Sequence, residues 1–315
     1  MSPMTILSKI KKRQALSILI LIIFLCALIP QYAVLRSSLA LLPNANKNFL
    51  FIAGLCTALT YLLATFTYRL LAFKPLNFRR TFIVQLGAMF INRLIPSGFG
   101  ALGVNFVYLK KESHTNTEAG TVVSFNNFLG LMGHLLLFGI IIIFFNTSIQ
   151  DFKYPPISIN PVVTALLILL FITVIVALYK VNGNKTVHTL RSFERAVLSY
   201  RRRKVHLLLA LGNSILVTLS NVAILFFCML AVGGHLSFAA IFIAFSFGVG
   251  AAAAVPTPGG IGGVEAGTAA GLVSFGMPLH TAIAAAVIYR IISFWIPLLV
   301  GFSAFIYCQR KHYFG

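Results

Sequence analysis

Three ionised side chains in this sequence sit where ionised side chains are expensive. Arg93 lies three residues before Pro96, Glu265 lies just past a second Pro/Gly cluster, and Arg290 lies inside a long apolar run. A charge at the centre of a hydrocarbon layer costs at least about 2.5–3.5 kcal/mol on insertion scales, so such residues are functional or paired. One arginine can pair with Glu265, which leaves one cation over. The two clusters read Pro96-Ser97-Gly98-Phe99-Gly100 and Pro256-Thr257-Pro258-Gly259-Gly260-Ile261-Gly262. A helix starting after each would aim its free N–H groups and positive dipole end at the same depth. A spare cation between two helix N-termini makes an anion site suited to a phosphate. The candidate substrate-binding set is Arg93, Pro96, Gly98, Gly100, Pro258, Gly259, Gly260, Gly262, Glu265 and Arg290. Two structural alternatives stay open. The Arg290–Glu265 pair could simply lock two helices together. Gly259, Gly263, Gly267 and Gly271 recur every four residues and could serve close helix packing.

The elements that must position these groups are membrane helices. The chain has 315 residues, 59% hydrophobic and 10% charged, against about 25% charged for a soluble protein. Its carboxylates are Glu112, Glu118, Asp151, Glu194 and Glu265. Apolar runs long enough for roughly 30 Å of hydrocarbon are read near residues 15–35, 49–73, 121–146, 161–181, 206–232 and 281–308. The first follows Lys9, Lys11, Lys12 and Arg13, and its length is that of an uncleaved span rather than a leader. Residues 81–95 with 101–111, and 238–255 with the helix after it, flank the Pro/Gly clusters. Their arms are short, so each pair is read as a re-entrant hairpin with its tip inside the membrane. The expected fold class is all-α integral membrane: about six full spans plus two re-entrant helical hairpins arranged as inverted repeats.

Charge placement tests this layout. With the N-terminus in the cytoplasm and both hairpins returning to their own side, 19 of the 25 Lys and Arg are cytoplasmic and three are outside. That asymmetry obeys the positive-inside rule and fixes both termini in the cytoplasm, in a cell-membrane protein. The formal charge of +20 therefore points to anionic lipid headgroups rather than nucleic acid. The loop at 182–205, with Leu190, Phe193 and Val197 at helical spacing among basic residues, is either an interfacial helix on anionic lipid or an ordinary basic loop.

The two clusters also align, Pro96-Ser-Gly-Phe-Gly-Ala-Leu over Pro258-Gly-Gly-Ile-Gly-Gly-Val. Each half reads span, span, hairpin, span, and the halves start on opposite sides. Residues 1–155 and 156–315 are thus expected to be inverted repeats, a transporter pattern in which paired interruptions mark the substrate site. Cys26, Cys56, Cys228 and Cys308 lack zinc-site spacing. No Gly-Lys-Ser/Thr phosphate loop, His-Glu-x-x-His or Gly-x-Ser-x-Gly occurs. No cofactor, metal or enzymatic activity is expected. His134 reads as a hydrogen-bonded core residue, His114 and His280 as solvated, and Arg69 as able to snorkel to the surface.

The segment Val255-Pro-Thr-Pro-Gly-Gly-Ile-Gly-Gly-Val-Glu265, then Ala284-Ala-Ala-Val-Ile-Tyr-Arg290, then Trp295-Ile-Pro-Leu-Leu resembles the C-terminal signature of a known family. It is the transmembrane region of lysylphosphatidylglycerol synthases and their stand-alone, flippase-like relatives. On that resemblance Glu265 and Arg290 fall on the family's acidic and basic positions. The first half departs from the family's pattern: Ala101 and uncharged residues stand where members often carry a glutamate and an arginine. The resemblance implies the flippase half alone, without lysyl transfer, moving an anionic phospholipid or a polyprenyl-linked lipid between leaflets. The alternative is a non-transporting scaffold or accessory subunit whose partner is a lipid- or glycan-modifying enzyme.

Overall fold

The computed structural model describes residues 45–95, 99–144, 200, 203–254 and 257–314. The described residues are helical, with no strand among them. Helix α1 is Lys47–Leu71, α2 Phe78–Leu94, α3 Phe99–Lys111, α4 Asn116–Phe144, α5 Lys204–Ala231 and α6 Phe238–Ala254. A 3-10 turn at Pro258–Gly260 leads to α7, Gly263–Ser274, and α8, Leu279–Arg290. Helix α8 runs through a π-helical turn, Ile291–Trp295, into α9, Ile296–Arg310.

Local chemistry sets several boundaries. Asn77 opens α2 by accepting from Arg80 N at 3.2 Å. Thr115 and Glu118 open α4 as a reciprocal capping box: Thr115 N donates to Glu118 Oε2 at 2.7 Å, and Glu118 N to Thr115 Oγ1 at 3.2 Å. Among the described residues, four elements are long and apolar enough to cross a membrane: α1, α4, α5 and the continuous α8–α9, of 25, 29, 28 and 32 residues. They coincide with the spans expected at 49–73, 121–146, 206–232 and 281–308. The spans expected at 15–35 and 161–181, and most of the 182–205 loop, lie outside the described residues.

Helices α2 and α6 have 17 residues each, about 26 Å at 1.5 Å per residue and short of the roughly 30 Å a span needs. Each folds back on the helix that follows it. A ladder of side chains joins α2 to α3: Arg80 Nη1 to Glu112 Oε1 at 2.6 Å, Thr81 Oγ1 to Tyr108 OH at 2.9 Å, and Gln85 Nε2 to Asn105 Oδ1 at 2.7 Å. The fourth rung is Ala101 N donating to Asn92 Oδ1 at 3.2 Å. Helices α6 and α7 are joined differently, by the absence of side chains. A Cβ on Gly267 would lie 2.6 Å from the Phe247 carbonyl oxygen, and one on Gly271 2.6 Å from Ala244 Cα. The packing role weighed for the glycine stripe thus holds at Gly267 and Gly271.

Contacts between helix ends fix the arrangement. Asn46 N donates to Ala231 O at 2.9 Å, placing the start of α1 beside the end of α5. Tyr200 OH donates to Leu71 O at 2.6 Å, and Arg203 Nη1 to Ala72 O at 2.7 Å, placing the end of α1 beside the start of α5. The base of the α2–α3 hairpin sits at this second end, where Lys74 Nζ donates to Ser113 O and Lys111 Nζ to His312 O. The base of the α6–α7 hairpin sits at the first end, where Gly234 lies against Met277. The hairpins therefore enter from opposite ends, and their tips meet: a Cβ on Gly259 would lie 3.3 Å from the Arg93 carbonyl oxygen.

Among the described residues, Lys74, Arg79, Arg80, Lys110, Lys111, Arg203, Lys204, Arg310 and Lys311 fall at the Leu71 end and Lys47 at the other. In a background with the native cysteines replaced, cysteines at Ser113 and Gln309 are expected to react with an impermeant maleimide from one side of the membrane, and one at His280 from the other. Labelling of Ser113 and His280 positions from the same side would break the re-entrant arrangement. Arg69 is exposed and its Nε donates to Leu76 O at 3.1 Å, close to the basic end. His114, expected to be solvated, is instead buried. Its Nε2 accepts from Lys74 N at 3.2 Å and its Nδ1 contacts Leu109 O at 3.1 Å, so the ring closes the α3–α4 corner. His280 is exposed, and His134 is bonded to Ser246 Oγ at 3.2 Å, as a core histidine would be.

Candidate functional site

The tip of the second hairpin is a backbone shape that only glycine adopts without strain. Gly259 and Gly262 have φ of 61° and 85°, in the left-handed region where other residues meet their own Cβ. At Gly259 a Cβ would also lie 2.3 Å from the Phe294 ring. Thr257 Oγ1 donates to Ile261 O at 2.8 Å and closes the turn.

Arg290, the last residue of α8, holds this tip. Its Nε donates to Glu265 Oε1 at 2.9 Å and its Nη2 to Gly259 O at 2.9 Å. The other carboxylate oxygen of Glu265 accepts from Gly262 N at 2.8 Å. A carboxylate in the first turn of α7 thus occupies the positive end of that helix. Arg290 is only 7% exposed, so its charge is compensated by the pair and not by water. Helix start α3 is also partly satisfied, by Asn92 at Ala101 N. The N–H groups expected to be free at both helix starts are therefore shared with the protein's own side chains.

Arg93 reaches the same place from the first hairpin. Its Nη2 donates to Tyr61 OH at 3.1 Å and to Ser293 O at 2.6 Å. The second bond has a local cause. Pro297 has no N–H to offer the carbonyl four residues before it, so the Ser293 oxygen lacks its α-helical donor, and Arg93 supplies one. Among the described residues Arg93 has no carboxylate partner, and its Nη1 is buried without a hydrogen bond. Phe294 lies between the two arginines, its ring centroid 4.2 Å from Arg290 Cζ and 5.1 Å from Arg93 Cζ. Each contact is a cation–π attraction of about 0.5–2 kcal/mol, and one ring holding both guanidiniums offsets part of their repulsion.

These groups border a cavity of about 390 Å³. Its polar lining includes Asn92, Arg93, Asn221, Thr257, Arg290 and Ser293. Of the ten residues singled out in the sequence, Arg93, Gly259, Gly260 and Arg290 line the cavity, and Glu265 stands behind Arg290. Pro258 and Gly262 shape the tip without lining it. Gly100 packs away from it: a Cβ there would lie 2.5 Å from the Ile91 carbonyl oxygen, so this residue serves the α2–α3 approach. Pro96 and Gly98 lie outside the described residues. Sequence reasoning passed over Tyr61, Ser293 and Phe294. Two spacings could have found the last pair: Phe294 is one helical turn after Arg290, and Ser293 is one turn before Pro297.

Comparison with known proteins places the chain. Residues 14–301 match the family described as the lysylphosphatidylglycerol synthase TM region. A UPF0104 membrane protein of Pyrococcus horikoshii is 27% identical over 117 residues, which is 37% of this chain and 35% of that relative. The likeness to that relative thus spans about a third of either protein. The match over residues 14–301 covers α1 through α8, with both hairpins, and the first six residues of α9. The chain belongs to the lysylphosphatidylglycerol synthase transmembrane-region family and is a multi-pass α-helical membrane protein.

Proposed function

We propose that this protein is a lipid translocase that carries an anionic phospholipid or a polyprenyl-linked lipid across the membrane. One observation carries the reading: two hairpins entering from opposite ends meet around a cavity bordered by two arginines, of which Arg93 has no carboxylate partner among the described residues. A phosphate headgroup has to leave the interface and pass about 30 Å of hydrocarbon, while its tails stay in lipid. It needs a cationic resting point near the middle. Arg290 lies 11 residues beyond the start of α8, about 16 Å in at 1.5 Å per residue, and Arg93 sits at the far end of α2 from the surface. The basic end, read as cytoplasmic, gathers anionic headgroups beside the hairpin base. The two halves, 1–155 and 156–315, are read as inverted repeats whose tips form the site.

Reconstitution tests this directly. Liposomes containing the protein are expected to flip a fluorescent anionic phospholipid faster than empty liposomes, and Arg93→Ala is expected to slow flipping about tenfold or more without unfolding the protein. The magnitude reflects loss of one charge contact at the site, where about 1.4 kcal/mol is a factor of ten. Wild-type flipping by a folded Arg93→Ala would remove the cavity from the mechanism. If folded wild type moves no lipid, the scaffold reading, a partner for a lipid-modifying enzyme, takes its place.

A further inference from the structure

The last long helix belongs to two different parts of the molecule. Its first half, α8, is built into the second hairpin. Ala282, Ala285 and Ile288 share one buried core with Ile241, Phe242 and Leu272 of α6 and α7, and Arg290 is paired with Glu265. Its second half, α9, is built into the first hairpin. A Cβ on Gly87 of α2 would lie 3.3 Å from Phe305 Cα, and one on Gly301 of α9 2.8 Å from the Leu86 carbonyl oxygen, so the two backbones touch. The Phe90 ring centroid lies 5.3 Å from that of Phe302 and 5.6 Å from that of Phe305. The cavity opens where the two units meet, and the helix that joins them lines it with Tyr289, Arg290, Ser293 and Phe294.

We infer that the turn from Ile291 to Pro297 is a hinge between the two hairpin units, and that Arg93 is the latch that holds it. The helix is irregular at this point. In the π-helical turn Ile296 N donates to Ile291 O, five residues back. Helices bend sharply at π turns and at prolines, and this one has both within seven residues. Pro297 removes the α-type bond to Ser293 O. The donor that replaces it is Arg93 Nη2, 2.6 Å away at the tip of the first hairpin. A bond that would keep the helix in shape is thus supplied by a side chain from outside the helix, and a side chain can be drawn away.

The latch is also placed to sense the cavity. Arg93 Nη2 donates twice, to Ser293 O and to Tyr61 OH, while Nη1 is buried with no hydrogen-bond partner. An anion that engages the guanidinium through two oxygens, across Nη1 and Nη2, needs one of the Nη2 hydrogens. When that hydrogen leaves Ser293 O, the hinge is free to bend and the two tips to part. This coupling of hinge to occupant rests on the translocase reading. The hinge and its latch rest on the helix geometry alone.

Paired spin labels on the full chain in phosphatidylcholine nanodiscs measure the hinge, in a background with the native cysteines replaced. Labels at Gln309 and Val205, both exposed, report movement of α9 against α5. Labels at Lys47 and Val205 report α1 against α5, whose ends are bonded together, and serve as the control. Helix α9 has 15 residues, about 22 Å, so a bend of about 20° moves its far end by about 8 Å. Wild type is expected to give one distance for each pair. Arg93→Ala is expected to add a second Gln309–Val205 distance displaced by about that amount, with the control pair unchanged. Combining Arg93→Ala with Pro297→Ala is expected to restore one distance, because the N–H regained at position 297 can donate to Ser293 O. An arginine that only filled space could not be replaced by an N–H on another helix. A single distance in folded Arg93→Ala would overturn the inference, and so would two distances in the double variant. If Arg93→Ala does not fold, Tyr61→Phe decides. It removes one of the two Nη2 partners, the second distance is expected in a minor share of molecules, and its absence would overturn the latch.

Wild type in discs that also contain phosphatidylglycerol is expected to show the same second distance, and no response would overturn the coupling to an occupant. Flipping assays keep the two proposals apart. Two distances in Arg93→Ala, with a wild type that moves no lipid, would leave the hinge standing and remove the translocase reading. Flipping by wild type with one distance in Arg93→Ala would do the reverse.

Discussion

Glu265→Gln is expected to destabilise the protein by about 3–5 kcal/mol, the usual consequence of removing one partner from a buried ion pair. The substitution keeps the shape of the side chain and an oxygen to accept from Gly262 N or from Arg290. What it removes is the charge. Arg290 is 7% exposed and has no second carboxylate among the described residues, so water cannot replace the lost partner. The loss also reaches the backbone. Arg290 donates to Gly259 O, and Gly259 holds the Phe294 ring against the tip, so a displaced guanidinium disturbs the whole hairpin end. Thermal unfolding in mild detergent measures the effect. Adding Arg290→Gln to Glu265→Gln should recover part of the stability, because a neutral pair no longer leaves one charge buried alone. Arg290→Lys should be intermediate, since an ammonium lacks the planar fork that spans Glu265 and Gly259 together. A Glu265→Gln protein that melts with wild type would show that the pair contributes nothing to holding the hairpin.

Gly100→Ala is expected to cost about 1–3 kcal/mol, the range for forcing a methyl into a filled space. An added Cβ would lie 2.5 Å from the Ile91 carbonyl oxygen, 2.7 Å from its carbon and 2.8 Å from Asn92 Cα. All three atoms are backbone, so no side chain can swing aside. Helix α3 would have to move off α2. That movement would pull Ala101 N from Asn92 Oδ1 and shift Arg93, the next residue along α2. Gly103→Ala is the control, because nothing lies within 4 Å of a Cβ there and alanine is the better helix former by about 1 kcal/mol. Its melting temperature should equal or exceed that of wild type. Equal stability of Gly100→Ala and wild type would mean that the hairpin opens freely at its tip.

The sequence by itself determined the fold class, because membrane insertion is governed by local composition. Each of the α1, α4, α5 and α8–α9 spans satisfies its own backbone hydrogen bonds and needs only enough consecutive apolar residues. The same locality made the hairpins legible: arms too short to cross, a Pro/Gly cluster at each tip, and basic residues at the base of the first. Glu265 and Arg290 were legible as a pair because so few charges lie at that depth. Tertiary structure decided what distance in sequence hides. It sent Gly100 to a helix contact and Gly259 to the cavity, although the two sit in aligned clusters, since what lies opposite a glycine is set by its neighbour in space. It joined the first hairpin with a polar ladder and the second with glycine contacts. It buried His114 because the chain turns back over it between Lys74 and Leu109. It also brought Arg93 to Ser293, 200 residues away, where Pro297 had left a carbonyl without its helical donor. The missing N–H is written in the sequence, but which side chain reaches that oxygen depends on how the two hairpin tips meet.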